Sequence, residues 1–362
     1  MTVSDVQRTH RKRREREALE YPFVTPAALG EVETVAEGVL WARVPMPMSL
    51  DHINVYLLRD HDGWWLVDTG LNTARGREVW ERLAAERLEG LPFKALICTH
   101  FHHDHIGLAH WLMERFGLPL YMSHGEYFSM RALASAQAPP LPEDQRHFYE
   151  RAGMPADDID AMFAAFRHFA HSPPHPEAFH RLRDDDRLSI GGRDWRVIIG
   201  EGHSPEHVCL YAPEDRLLIA GDQLLPEISS NVMVSNIEPE ADPLGGWLAS
   251  LDRLATLAPD TLVLPSHGPV FRQLPERVRQ LQEHHERQFV LIRELAERSP
   301  GFTAFDAMCR LFPRALPPTE KLLALGEALA HLALLRRRGE LVRRPGRDVD
   351  GFYPATGPGS GD

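Results

Sequence analysis

One heptapeptide constrains this chain more than any other stretch. Thr99-His100-Phe101-His102-His103-Asp104-His105 puts four histidines and a carboxylate within six residues. It follows directly on the apolar run Ala95-Leu96-Ile97-Cys98, and a short apolar run bounded by polar residues reads as a buried strand. The histidines therefore stand on the loop leaving a strand end, and the fold has to be a scaffold that holds such a loop rigid. Imidazole nitrogens and carboxylate oxygens are the donors that borderline divalent ions such as zinc prefer. On an extended or turning loop His100 and His102 point the same way, while Asp104 and His105 reach a second point nearby. One cluster thus supplies part of two metal sites.

Complementary donors follow downstream, each after a strand-like run. His203 lies in the glycine-flanked Gly200-Glu201-Gly202-His203-Ser204-Pro205, after Trp195-Arg196-Val197-Ile198-Ile199. Asp222 closes Leu217-Leu218-Ile219-Ala220-Gly221-Asp222, and His267 ends Leu262-Val263-Leu264-Pro265-Ser266-His267-Gly268. A lone histidine before glycine is usually a loop residue and a strand-end aspartate often a helix cap. Strand ends, however, are where a sheet can aim several side chains at one cleft.

These residues resemble the metallo-β-lactamase-fold superfamily: the Thr-His-x-His-x-Asp-His run at 99–105, Gly-His at 202–203, Gly-Asp at 221–222, Ser-His-Gly at 266–268 and the upstream Asp68-Thr69-Gly70. The resemblance covers roughly residues 31–290. It implies an α/β fold, a four-layer αββα sandwich, with one metal on His100, His102 and His203 and a second on Asp104, His105 and His267. Asp222 would bridge the two, and Asp68 and Thr99 would steady the ligand loop through hydrogen bonds. The implied cofactors are two divalent ions per chain, zinc first, with iron or manganese as alternatives. Three-histidine zinc β-lactamases typically carry cysteine where this chain has Asp222. The carboxylate resembles the glyoxalase II and ribonuclease branches instead, which argues against antibiotic hydrolysis. Cys209 reads as a strand-core residue.

The balance of charge and cysteine bounds the setting. The formal net charge is -12, which argues against a general polyanion binder without excluding a local basic patch. Cys98, Cys209 and Cys309 are widely separated, sit in apolar contexts and imply no disulfide framework. The longest apolar runs fall short of the ~18 residues a membrane span requires. Residues 1–30 read as a solvated, partly helical arm whose basic run, Arg8 to Arg16, lacks the apolar centre of a secretory signal. The expectation is a cytoplasmic enzyme with no membrane partner, with a homodimer left open.

Along the chain, Glu33 to Val44, Ile53 to Leu58 and Trp64 to Asp68 read as strands, and Thr73 to about Leu88 as a helix. A helix from Leu108 to Arg115 and a short strand from about Leu118 to Met122 follow. Val208–Tyr211, a turn at 213–215 and Leu217–Asp222 mirror the earlier hairpin, which suggests two β-rich halves with helices outside. Within the catalytic domain at 31–290, an insert at about 124–180 reads helical and aromatic, either packing on the sandwich or forming a lid with an apolar acyl pocket. His168, His171 and His175 in it read as surface residues. A long helix runs from Leu274 to about Arg298, and its His284-His285-Glu286 reads as a solvated face.

Residues 291–350 then show helices starting near Thr303 and Pro317 and a strand opening at Leu341. That order resembles the winged-helix-like module of one branch of the superfamily, which includes predicted hydrolases and an endoribonuclease. From Gly301 to Asp350 there are nine Lys/Arg against six Asp/Glu, so Arg336, Arg337, Arg343 and Arg344 are candidates for phosphate contacts. Residues 351–362 read as a flexible tail.

Two divalent ions ~3.5–4 Å apart lower the pKa of a bridging water enough to give hydroxide at neutral pH. Asp104 and Asp222 are the carboxylates expected to serve that chemistry. The function expected is hydrolysis of a small ester or thioester by metal-bound hydroxide. The alternative is a phosphodiesterase or endoribonuclease of the winged-helix branch.

Overall fold

The computed structural model describes residues 11, 13–23, 28–48, 50–87, 90–135, 143–166 and 174–355 of the 362-residue chain. Two compact units divide it. The first takes the described parts of Met1–Ala134, His171–Ser230 and Ser250–Gln280; the second takes those of Ser135–Ala170, Asn231–Ala249 and Leu281–Asp362.

The first unit is built on two mixed sheets. The seven-stranded sheet runs in sequence order through β1 (Val32–Ala36), β2 (Val39–Pro45), β3 (His52–Arg59), β4 (Trp64–Val67), β5 (Phe93–Ile97), β6 (Leu120–Ser123) and β7 (His180–Leu182). The five-stranded sheet comprises β8 (Arg187–Ile190), β9 (Arg193–Gly200), β10 (His207–Ala212), β11 (Leu217–Gly221) and β12 (Leu262–Pro265), also in order. β2 to β5 pair antiparallel, antiparallel and parallel, and β9 to β12 repeat that scheme. The mirrored hairpins read from the sequence are therefore equivalent parts of the two sheets.

Strand composition explains the layering. Trp41, Tyr56, Val67 and Ile97 from the first sheet join Val197, Leu210, Ile219 and Leu264 from the second in one buried cluster, so the sheets face each other. Alternate residues on the first sheet, such as Ala42, Leu57, Leu66 and Leu96, pack outward on Val79 and Trp80 of α1 (Ala74–Arg82) and Leu112. A strand buried on both faces reads as a continuous apolar run, and β10 and β11 are buried at every position.

The remaining helices of this unit are the one-turn α2 (His103–Ile106), α3 (Ala109–Phe116), which holds Leu112, and α4 (His124–Ser135). No helix among the described residues is long and apolar enough to cross a membrane.

The second unit contains α5 (Glu143–Arg151), α6 (Ala156–Phe166), α9 (Ala304–Leu311), α10 (Pro318–Arg337) and the antiparallel hairpin of β13 (Leu341–Pro345) and β14 (Asp350–Pro354). Both α7 (Pro243–Ala255) and α8 (Leu274–Arg298) run from one unit into the other. A capping box of Thr303 and Asp306 starts α9. Lys321 pairs with Asp158 at 2.5 Å, and Phe305 N–H donates to the Ala152 carbonyl. The helical insert is thus grouped with the C-terminal segment, a partition that the boundary drawn at 290 does not anticipate. Short-range patterns cannot show which distant helices share a core.

Several local expectations are corrected. The single strand read at 33–44 is two strands, because Gly38 takes φ +68 and turns the chain. The helix read from Thr73 to Leu88 is α1 followed by a π-helical turn over Leu83–Arg87, and Leu88 lies outside the described residues. His285 is buried rather than solvated, its Nδ1 3.0 Å from His331 Nε2. It sits in register with buried Leu281, Phe289, Ile292 and Ala296 along α8. Cys309 is exposed, unlike Cys98 and Cys209. The tail read from Gly351 begins instead with most of β14, and 356–362 lie outside the described residues, as do His168 and His171.

Gly191-Gly192 forms the two-residue turn joining β8 to β9, with φ of +61 and +80. Such hairpin turns need positive φ at both positions. At Gly191 an added Cβ would also overlap the Arg59 carbonyl oxygen, whereas nothing lies near Gly192. Gly192→Ala is expected to cost about 1 kcal/mol in urea unfolding, and Gly191→Ala clearly more. Equal losses would show that the turn tip is not packed as described.

Candidate metal centre

Every candidate donor hangs on the end of a strand in the first unit. Asp68 follows β4 and holds φ +64, a left-handed conformation that costs a non-glycine residue on the order of 1–3 kcal/mol and persists only where surroundings enforce it. Here the enforcement is visible. The Asp68 Oδ1 accepts from Thr99 N–H at 2.8 Å, and Oδ2 accepts from Thr99 Oγ1 and from His105 Nδ1, each at 2.8 Å. Thr99 Oγ1, having given its proton to Asp68, accepts from His100 Nδ1 at 3.0 Å. One carboxylate therefore sets the tautomer of two histidines, so that their Nε2 lone pairs face away from Asp68. His267 gains the same orientation from the His52 carbonyl, 3.2 Å from its Nδ1.

Those lone pairs converge. His100 Nε2 lies 2.8 Å from His102 Nδ1 and 3.2 Å from His203 Nε2. His267 Nε2 is 3.2 Å from Asp104 Oδ2, and His105 Nε2 is 3.7 Å from the same oxygen. Asp222 stands between the two sets: Oδ2 is 3.5 Å from His203 and 3.6 Å from His105, while Oδ1 is 3.5 Å from His267. Three groups have donor atoms within 4.8 Å of one another: His100–His102–His203, His100–His105–Asp222 and Asp104–His105–His267. The structure thus brings all seven residues singled out as ligands to one place, with Asp68 and Thr99 beside them. His103 joins none of the three groups.

The electrostatics fit a cation. Asp68, Asp104 and Asp222 are buried or nearly so, and their ion-pair partners among the described residues are all histidines. Burial alone drives His105 and His267 down. The surrounding carboxylates, Asp104 and Asp68 for His105 and Asp222 and Asp104 for His267, outweigh it and lift both above the usual imidazole value. For His100 and His102 burial dominates, aided by neighbouring histidines, and both are held well below that value. Burial likewise pushes Asp104 and Asp222 up, but the histidines pull both below the usual carboxylate range. A divalent ion requires neutral imidazoles beside ionised carboxylates, a state that His100 and His102 already favour and that His105 and His267 would reach by giving up a proton to the bound ion. His105 Nε2 and Asp222 Oδ1 are buried without a hydrogen bond, a cost that a metal would remove. Roughly 3.4 Å separates two nitrogens bound ~2.1 Å from one tetrahedral zinc, close to the 3.2 Å between His100 and His203.

Two further residues belong to this centre and escaped the sequence reading. His207, wholly buried on β10, accepts from the Asp222 N–H at 3.1 Å. Its ring occupies the space a side chain at position 221 would need, which makes Gly221 necessary. The only sequence signal was a histidine opening an apolar run. Glu126, fully buried in the first turn of α4, accepts from the backbone N–H of Phe101 and of Glu206. In sequence it reads as an ordinary N-terminal helix acid.

With this geometry in hand, known proteins give a consistent comparison. The Metallo-beta-lactamase superfamily profile matches residues 48–267, and that for the Metallo-beta-lactamase-like C-terminal domain matches 291–354. The probable metallo-hydrolase YqjP of Bacillus subtilis is 27% identical over 310 residues, 83% of this chain and 92% of that protein. A beta-lactamase domain protein from Burkholderia ambifaria superposes with TM-score 0.88 at 41% identity, covering 94% of this chain and 100% of that one. A metallo-beta-lactamase family protein from Thermus thermophilus gives 0.72 at 29% identity over 89% of this chain and 100% of its own.

Protein purified without chelators should carry about two divalent ions per chain, read by elemental analysis. Stripping them should lower the melting temperature, because it leaves three buried carboxylates without a cation. Metal content near zero after supplementation would overturn the assignment of the cluster.

Proposed function

The chain belongs to the metallo-beta-lactamase superfamily as a metal-dependent hydrolase, and we propose that its substrate is a small ester or thioester. The observation that carries this reading is the donor set, with the carboxylate of Asp222 between the two histidine groups; a separate cavity of about 360 Å³ reaches Gly268 and Pro269, which follow His267 in the chain. Tyr21, Phe23 and Trp41 give it aromatic walls, and Arg16, Arg43, His52 and Glu227 line it with polar and charged groups. That volume suits a small acyl or leaving group, at the lower end of ordinary ligand pockets.

In this reading His100, His102 and His203 would hold one ion and Asp104, His105 and His267 a second, with Asp222 within reach of both donor groups; zinc suits the donor set best. Bound divalent ions supply Lewis acidity, lowering the pKa of water toward neutrality and polarising the scissile carbonyl. Asp104, whose Oδ2 faces His267 Nε2 at 3.2 Å, is the carboxylate that would orient an attacking water and take up its proton. Asp68 and Thr99 keep His100 and His105 in the tautomer that presents Nε2 to the site. Neither a nucleophilic side chain nor a strong acid is needed, since a thiol of pKa about 8.5 leaves readily as thiolate.

A nuclease would need free cationic surface on the C-terminal module. The four arginines singled out as candidates are engaged within the second unit: Arg336 and Arg343 pair with Glu240, Arg337 with Asp242, and Arg344 lies over the Tyr353 ring. Exposed pairs of this kind are individually worth ~0–1 kcal/mol, but they reduce the charge available to phosphate. We therefore read the module as structural, the partner as a small molecule and the setting as cytoplasmic.

A panel of acyl thioesters, lactones, a phosphodiester and structured RNA tests the reading, with thioesters or lactones expected to turn over. Asp222→Ala should lose several orders of magnitude in kcat/KM; a loss within tenfold, about 1.4 kcal/mol of barrier, would show that Asp222 does not join the two ligand sets. Replacing Arg336, Arg337, Arg343 and Arg344 with Gln should leave thioester turnover unchanged. Micromolar RNA affinity at physiological salt, lost in that variant, would favour the nuclease instead.

A further inference from the structure

We propose that Glu126 is the positioning residue of the three-histidine site, a single carboxylate that ties the loop carrying His100 and His102 to the loop carrying His203. The inference rests on the metal reading above and adds a residue outside the ligand set.

The geometry is reciprocal. Glu126 Oε2 accepts from the N–H of Phe101 at 3.0 Å, and Phe101 stands between His100 and His102 in the chain. Its other oxygen, Oε1, accepts from the N–H of Glu206 at 2.7 Å, three residues past His203. Glu206 answers from its own side: its Oε2 accepts from Gly125 N–H at 2.7 Å, and its carbonyl accepts from Ser123 Oγ at 2.7 Å. The clamp is close enough that a Cβ on Gly125 would press on the Glu206 side chain. The loop after β5 and the loop between β9 and β10, from different sheets, are thereby fixed to one turn of α4.

Glu126 is wholly buried and has no lysine or arginine partner among the described residues. Burial pushes its carboxyl up to about 7, opposed by the nearby Ser204 hydroxyl and the two backbone N–H bonds. A buried acid with no cation is costly, so its place there needs an offset, and both of its backbone bonds are to the ligand-bearing loops. The requirement is for acceptors on both oxygens. A glutamine offers one acceptor and one donor, so its amide nitrogen would face an N–H. An aspartate is one methylene too short to span both loops.

The consequence is selective. Loosening Glu126 should disturb His102 and His203 most, while His105 and His267 keep their own supports from Asp68 and the His52 carbonyl. Orienting partners of metal ligands typically change affinity 10–100-fold.

The test is competition of zinc with a chromophoric chelator, with cobalt(II) absorption as a geometric readout, on the full chain and on Glu126→Gln. Expected are one zinc equivalent weakened 10–100-fold, a second unchanged and an altered cobalt spectrum. Glu206→Gln, which keeps the backbone N–H to Glu126, should shift zinc affinity far less. A purely structural glutamate would lower the melting temperature of metal-free protein yet leave affinity and spectrum as in the parent; that result would overturn the proposal. Should Glu126→Gln fail to fold, Glu126→Asp takes its place with the same expectation. If the unsubstituted chain binds no metal, the metal reading falls and takes this one with it, whereas parent and variant binding alike removes this one alone.

Discussion

Three carboxylates lie at buried strand ends with no lysine or arginine among the described residues to neutralise them, and that charge problem organises one edge of the sandwich. Asp68 spends its oxygens on Thr99 and His105. Asp104 and Asp222 are left facing the His105 and His267 imidazoles, which they lift above the usual imidazole value. Buried charge in a low-dielectric interior is tolerated only when paired, and the surrounding rings can pair it only by carrying protons or by sharing a cation. The strained φ of Asp68, the compulsory glycine at 221 and the buried His207 beneath it are the local concessions that keep this arrangement in place.

The two sheets meet that need symmetrically. Each has an antiparallel hairpin whose second strand pairs parallel to the next, and each such strand ends in a carboxylate, Asp68 after β4 and Asp222 after β11. Because side chains alternate along a strand, a one-residue slip would turn these groups into the core. The fully buried β10 and β11 resist such a slip, since it would move every packed side chain at once. Rigid strands and short loops together give the precision a ligand set demands.

Catalytic character and specificity live in different places. The strand ends carry the donor set, while the cavity that reaches Gly268 is lined by none of those donors. The second unit contributes helices and a hairpin, with Arg336, Arg337, Arg343 and Arg344 engaged by Glu240, Asp242 and Tyr353.

The strands that carry the donors, the long α8 and the seven clustered residues were legible in the sequence because each is written locally, whereas the β1–β2 break and the short β7 and β8 were not. An apolar run, a glycine after it and a donor at its end lie close together along the chain, and the order of those runs pointed to the two-sheet arrangement. What the sequence could not disclose depends on contacts between distant segments. Glu126 and His207 look ordinary along the chain, and only the folded sheets bring Phe101 against Glu126 and Asp222 against His207. The burial of His285 against His331, and the grouping of α5 and α6 with the C-terminal helices, were hidden for the same reason. Periodicity reports which face of an element is apolar, whereas the partner that covers that face is chosen by tertiary packing.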